Sequence, residues 1–198
     1  MNSENATTAT RLQPIVMRSS RVTVTLYCGD CLELLPIEAD AVVSDPPYGM
    51  DNDCDYTRFT MGPNGHGKPS LRTYEQVIGD DVPFDPQPWL DWPRVVLFGM
   101  NHFAARLPVG TTLVWLKRFD PAFGSFLSDA ELAWMKGGHG GYCKRDTTLM
   151  ADTNNGLHPT QKPVPLMEWC IEKAKVPEAG TVLDPYMGSG TTGVACIR

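Results

Sequence analysis

Directly after the apolar run Ala41-Val42-Val43 comes Ser44-Asp45-Pro46-Pro47-Tyr48-Gly49, an acid, two prolines and an aromatic in succession. At the carboxyl end of a buried strand, where open α/β sheets bind their ligands, each of these types has a use. Proline fixes φ and carries no N–H, so Pro46 and Pro47 hold rigid carbonyl acceptors with no competing donor. The Asp45 carboxylate is a further acceptor, and the Tyr48 ring offers a flat face to a planar partner. Together they suit an NH2 group on an aromatic ring. Such an amine is a weak nucleophile because its lone pair is delocalised into the ring. Acceptors on its N–H bonds favour a tetrahedral nitrogen and stabilise the positive charge that grows as it attacks an electrophile. A rigid turn capped by Asp45 is the structural alternative.

A second cluster, Asp184-Pro185-Tyr186-Met187, runs into Gly188-Ser189-Gly190-Thr191-Thr192-Gly193. Glycines between a strand and a helix let backbone N–H groups approach a ligand, and the helix start favours a carboxylate or phosphate. The spacing is formally that of a dinucleotide fingerprint, which would suit a nicotinamide dehydrogenase. An acid and a proline at the strand end, however, are not part of that pattern. Gly62-Pro-Asn-Gly-His-Gly67-Lys68 fits the first seven positions of a phosphate-binding loop, but Pro69 has no hydroxyl for magnesium and no apolar strand precedes it. It reads as a mobile loop.

The elements that must position these residues alternate. Val22 to Tyr27 reads as a strand, Cys31 to Leu35 as a short helix and Ala41 to Ser44 as a buried strand. From Gly49 to Pro93 the chain reads as long loops, with a short helix near Tyr74 to Ile78. Strands resume at Arg94 to Phe98, Thr112 to Leu116 and Ala130 to Met135, with a helix over Asn101 to Leu107. Residues 137 to 157 read as a Gly-rich loop. Val164 to Lys175 has helical spacing, with Leu166, Trp169, Cys170 and Lys173 on one face and Pro165 in the first turn. Thr181 to Asp184 is the last strand, and Thr191 to Ile197 begins a helix. Alternation of this kind predicts an α/β fold with a mostly parallel sheet.

At 198 residues and 42% hydrophobic content, the chain has the size of one domain with a real core. The reading is a flexible arm over residues 1–18 and one domain over 19–198. No apolar run approaches the length of a membrane span and the first twenty residues lack a secretion signal, so a cytoplasmic protein with no membrane partner is expected. The net charge of −6 excludes a uniformly basic coat, so any contact with nucleic acid must come from a local patch. Lys117-Arg118, Lys136 and Lys144-Arg145 are the candidates. Of six cysteines only Cys28 and Cys31 are closely spaced, without the second pair a structural zinc needs. Reduced thiols and no metal are expected.

Asp45-Pro46-Pro47-Tyr48, His158-Pro159-Thr160-Gln161-Lys162-Pro163 and Asp184 to Thr192 together resemble the amino-methylating DNA methyltransferases that use S-adenosylmethionine. The catalytic motif preceding the cofactor motif is the order of the permuted β class, and the resemblance spans roughly residues 21 to 198. It implies a Rossmann-like three-layer sheet, mostly parallel with a terminal antiparallel hairpin. It further implies that Asp45 and the Pro46 carbonyl take the target amine's hydrogens, with Pro47 completing the rigid turn. Tyr48 would stack on a base flipped from its helix. Asp184, Gly188, Gly190, Thr191 and Thr192 would surround the cofactor's methionine end, Thr160, Gln161, Lys162 and Pro163 would line the same pocket, and Asp30 would meet its adenine. The partner is DNA, with a homodimer as a further expectation.

Asp-Pro-Pro-Tyr leans towards adenine N6, with cytosine N4 second. The family continues past the final helix into a strand ending in an acid that holds the cofactor ribose. This chain stops at Arg198, so a sheet lacking one strand, weak cofactor binding and a short recognition sequence are expected. The alternatives are a truncated, inactive remnant that binds nucleic acid or a partner, and an enzyme of the same chemistry acting on RNA or a protein amide.

Overall fold

The computed structural model describes residues 13–51, 76–124, 128–147 and 161–198. It is an α/β fold built on a mixed five-stranded sheet. The strands are β3 (Ala41–Ser44), β4 (Val95–Phe98), β5 (Gly110–Leu116), β6 (Ala130–Arg145) and β7 (Val182–Leu183), in the order β5-β6-β4-β3-β7. β3 lies parallel to both β4 and β7, so the chain leaves β3, β4 and β7 at the same end of the sheet. Ser44, the last residue of β3, and Asp184, which follows β7, are thereby brought side by side. No helix among the described residues is long and apolar enough to cross a membrane.

Central strands read as unbroken apolar runs because both faces of the sheet are covered. Ala41, Val43, Val96, Phe98, Leu113, Trp115 and Ala133 point to one face. They pack there against Leu166, Met167, Cys170 and Ala174 of α2 (Val164–Lys173) and its C-cap, and against Ala195 of α3 (Thr191–Ile197). Val42, Val95, Leu97 and Trp134 point to the other face, under Phe84, Trp89 and Phe103. Phe103 ends the four-residue α1 (Met100–Phe103). Side chains such as Leu97 and Phe98, fully buried, each contribute about 1.5–3 kcal/mol. Burial in α2 runs through Leu166, Met167 and Cys170, with half-buried Trp169 packed against the same core, so the expected apolar face is widened by Met167. Burial pushes the Cys170 thiol up to about 12, so it stays protonated.

Further expectations are corrected. Residues 137–145 are strand rather than loop. Ala130–Lys136 runs antiparallel to β5, with Thr112 opposite Trp134. The chain then bends at Gly137 and Gly138, and Gly141–Arg145 returns along β5 in the parallel sense, with Thr112 opposite Gly141. Glycine-rich sequence marks the bend; tertiary pairing overrides it on the far side. Residues 31–34 form turns rather than a helix, because the Asp30 side chain and carbonyl accept the Leu32, Glu33 and Leu34 N–H groups. Finally, Ile15–Arg18, read as the end of an arm, is β1, paired antiparallel with β2 (Thr23–Leu26) in a separate two-stranded sheet. The phosphate-loop-like stretch at 62–68, Cys54 and the first two residues of the helix expected over Tyr74 to Ile78 lie outside the described residues; Gln76 to Ile78, which are described, are not helical and lead into a turn at 78–81, which corrects that expectation. The other five cysteines are free thiols.

Candidate active site

The loop leaving β3 is held from three directions. Asp80, 4% exposed, accepts backbone N–H bonds from Tyr48 and Gly49 at 3.0 Å and from Met50 at 3.3 Å on a single carboxylate oxygen. Its own carbonyl accepts from the Asp51 N–H at 2.7 Å. From a second side, the Tyr48 ring stacks on His102 of α1, with centroids 5.0 Å apart and planes 9° from parallel. Gly99, at φ 77°, lies against the same ring; a Cβ there would meet it at 2.1 Å, so only glycine permits this approach. Pro46 is buried.

The third hold is ionic. Lys162 reaches Asp45 Oδ2 with its Nζ at 2.5 Å, while the Tyr48 hydroxyl donates to Asp45 Oδ1 at 2.5 Å. The Lys162 ammonium also lies 3.1 Å from Glu131 Oε2 and 5.3 Å from the centre of the Phe98 ring. Glu131 Oε1 in turn accepts from Lys117 at 2.9 Å. The lysine side chain is only 5% exposed and Asp45 19%. Burial alone would push Lys162 down, but Asp45 and Glu131 outweigh it and hold the ammonium above its ordinary range. For Glu131 burial pushes up, and the two lysines outweigh it, leaving its carboxyl below the usual range. Burial, with the neighbouring Asp45 charge, keeps the Tyr48 phenol protonated well past its usual value.

On the adjacent strand, Asp184 Oδ1 accepts from the Ser44 hydroxyl at 2.5 Å and from the Tyr186 N–H at 3.2 Å. Burial raises the Asp184 carboxyl; hydrogen bonds from Ser44 and Thr192 pull it partly back, and the nearby Asp45 charge adds to the rise. Gly188 and Gly190 follow with φ of 50° and 78°, and an added Cβ on Gly188, Gly190 or Gly193 would have nothing within 4 Å. The glycine turn therefore borders open space. Thr191 and Thr192 are buried under it.

The structure thus brings Asp45, Pro46, Pro47, Tyr48, Lys162, Asp184 and the glycine turn to one end of the sheet. Pro163 caps α2 and accepts its first N–H bonds from Leu166 and Met167 at 3.1 and 3.2 Å. Gln161 is half-buried, and Thr160 lies outside the described residues. Asp30 is exposed and caps its own turn; its charge is felt by Tyr186, whose ring edge packs on Phe84 and Trp89. Lys162, assigned by resemblance to a cofactor pocket, divides its charge between Asp45 and Glu131.

Reading the sequence missed Asp80, Glu131 and His102, and placed Lys117 only among the basic candidates for nucleic-acid contact. Asp80 carried no signal, being one acid in an acid-rich loop. Glu131 did carry one, because an acid inside the apolar strand Ala130-Glu-Leu-Ala-Trp-Met135 demands a buried partner. Most of the basic candidates for nucleic-acid contact are already engaged. Lys117 pairs with Glu131, Arg118 is buried and donates to the Ser128 carbonyl, Lys136 donates to the Leu90 and Trp92 carbonyls, and Arg145 pairs with Asp120.

Across the parallel strands β3 and β7 the site joins an acid-proline-aromatic turn to a glycine turn. Residues 133–198, the C-terminal third of the chain, match the family described as DNA methylase. A 43-residue stretch is 54% identical to the type II methyltransferase M2.DpnII of Streptococcus pneumoniae, covering 22% of this chain and 16% of that protein. The resemblance to DNA amino-methyltransferases is borne out by both. The family match takes in Gln161, Lys162, Pro163 and the glycine turn, and stops short of Asp45.

Proposed function

We propose that the chain is an S-adenosylmethionine-dependent methyltransferase of the permuted β class, with a Rossmann-like sheet, that methylates adenine N6, or secondarily cytosine N4, in DNA. The observation that carries this reading is the adjacency of the two motifs: Ser44, one residue before Asp45, hydrogen-bonds Asp184, four residues before Gly188. The DNA methylase match and the likeness to M2.DpnII support the substrate class.

S-adenosylmethionine supplies a methyl group on a sulfonium, and the open space along Gly188, Gly190 and Gly193 suits a ligand with a polar amino-acid end. Asp184, Thr191, Thr192, Gln161 and Pro163 would hold it. The rest of the chemistry belongs to Asp45. A carboxylate has about four lone-pair positions. Two are taken by Tyr48 and Lys162, so the remainder can accept a hydrogen of the target amine without breaking either bond. Fixed acceptors aimed at the nitrogen favour the form that carries developing positive charge. Tyr48, its hydroxyl held by Asp45 and its ring by His102, is pre-set for a base brought beside it.

Transfer of labelled methyl from S-adenosylmethionine to unmethylated DNA tests the reading. Label should appear on an exocyclic base amine and fall by about a thousand-fold or more in Asp45→Ala, the scale of one lost electrostatic or proton-accepting group. Label confined to RNA or protein, or no label from the folded wild type, would overturn it.

A further inference from the structure

We infer that Glu131 is a positioning residue for Asp45, acting through Lys162. This inference rests on the proposed role of Asp45. Lys162 stands between two carboxylates, 2.5 Å from Asp45 and 3.1 Å from Glu131, and is buried, so its direction cannot be set by water. Glu131 is anchored in turn by Lys117 at 2.9 Å and by its place in β6, opposite Trp115 of β5. Through these successive contacts the four charges alternate in sign and sum to zero. An ammonium shared in this way donates less to each carboxylate than it would to one alone. Asp45 therefore keeps acceptor strength for the amine while remaining fixed. Without the pull of Glu131, more of the charge of Lys162 falls on Asp45 and competes with the substrate hydrogen for its lone pairs.

Lys117 sets the balance from the other side. It draws Glu131 charge towards the surface, so removing it should strengthen Glu131 on Lys162 and relax Lys162 from Asp45. Glu131→Gln and Lys117→Met therefore have opposite effects on the same carboxylate, which a merely structural role of either residue would not produce.

The test follows the Asp45 carboxyl carbon and the Lys162 ammonium nitrogen by NMR at neutral pH in the full chain, assigned with Asp45→Asn and Lys162→Arg. Methyl transfer to DNA is measured in parallel. Glu131→Gln should shift the Asp45 resonance, Lys117→Met should shift it the opposite way, and Glu131→Asp should return it towards wild type. In the transfer assay Glu131→Gln should lower kcat about ten-fold with KM for S-adenosylmethionine unchanged, a barrier increase near 1.4 kcal/mol. An Asp45 resonance unmoved by Glu131→Gln, or moved the same way by both variants, overturns the inference. A folded wild type without transfer would remove the methyltransferase reading and leave the resonances to decide the role of Glu131 alone.

Discussion

Lys162→Met is expected to destabilise the protein by about 3–5 kcal/mol, the cost of leaving buried charge uncompensated. For a chain of this length that is a fall of roughly 6–20 °C in Tm. Methionine fills much the same volume, so the loss is electrostatic: Asp45 and Glu131 remain, both within reach of the vacated position. Thermal melts against pH give the decisive signature. In the wild type Glu131 titrates below its unfolded value, so its contribution is full at neutral pH and is lost as pH falls through the lowered folded value. Lys162 titrates above its unfolded value, and its contribution is lost only as pH rises through that higher value. The ionic hold is thus complete across neutral pH. In the variant the two carboxylates repel and favour protonation. Relative to wild type it should therefore regain stability as pH is lowered from neutral towards about 4. A constant Tm difference across that range would contradict the shared-lysine arrangement.

Asp80→Ala should cost about 3 kcal/mol and reduce methyl transfer about a hundred-fold. One buried carboxylate oxygen serves the N–H groups of Tyr48, Gly49 and Met50, and bonds to a charged acceptor are worth about 1.5–3 kcal/mol each. Partial rehydration of the freed groups keeps the total below the sum. Activity should suffer more than stability suggests, because a displacement near 1 Å at a reacting group costs about that factor in rate. Asp80→Asn keeps an acceptor oxygen and should recover most of the stability. Equal stability of Asp80→Ala and wild type in urea titrations would mean that the loop is held without Asp80, by its prolines, the His102 stack and the Lys162–Asp45 pair.

The features legible in the chain are those written in consecutive residues. The run Ala41-Val-Val-Ser44 announces a strand covered on both faces, and the acid, prolines and tyrosine after it announce a fixed turn. Proline and glycine restrict or free the backbone wherever they stand. The glycine turn after Thr181 to Asp184 is legible for the same reason, and parallel pairing of β3 with β7 follows from the alternation of elements. Elements with competing local signals were misread. Gly141–Arg145 is strand because β5 offers it an edge, and residues 31–34 are turns because Asp30 captures their N–H groups.

By itself the sequence determined where the candidate motifs stand, since the motif types and their local backbone constraints need no partner to be recognised. Tertiary structure alone decided what each motif is held by. Lys162 lies 117 positions from Asp45, and Asp80 some thirty positions from the loop it anchors. Nothing in a lysine or an aspartate states its partner; burial does, because a charge removed from water is stable only where the fold delivers a counter-charge or donors to it.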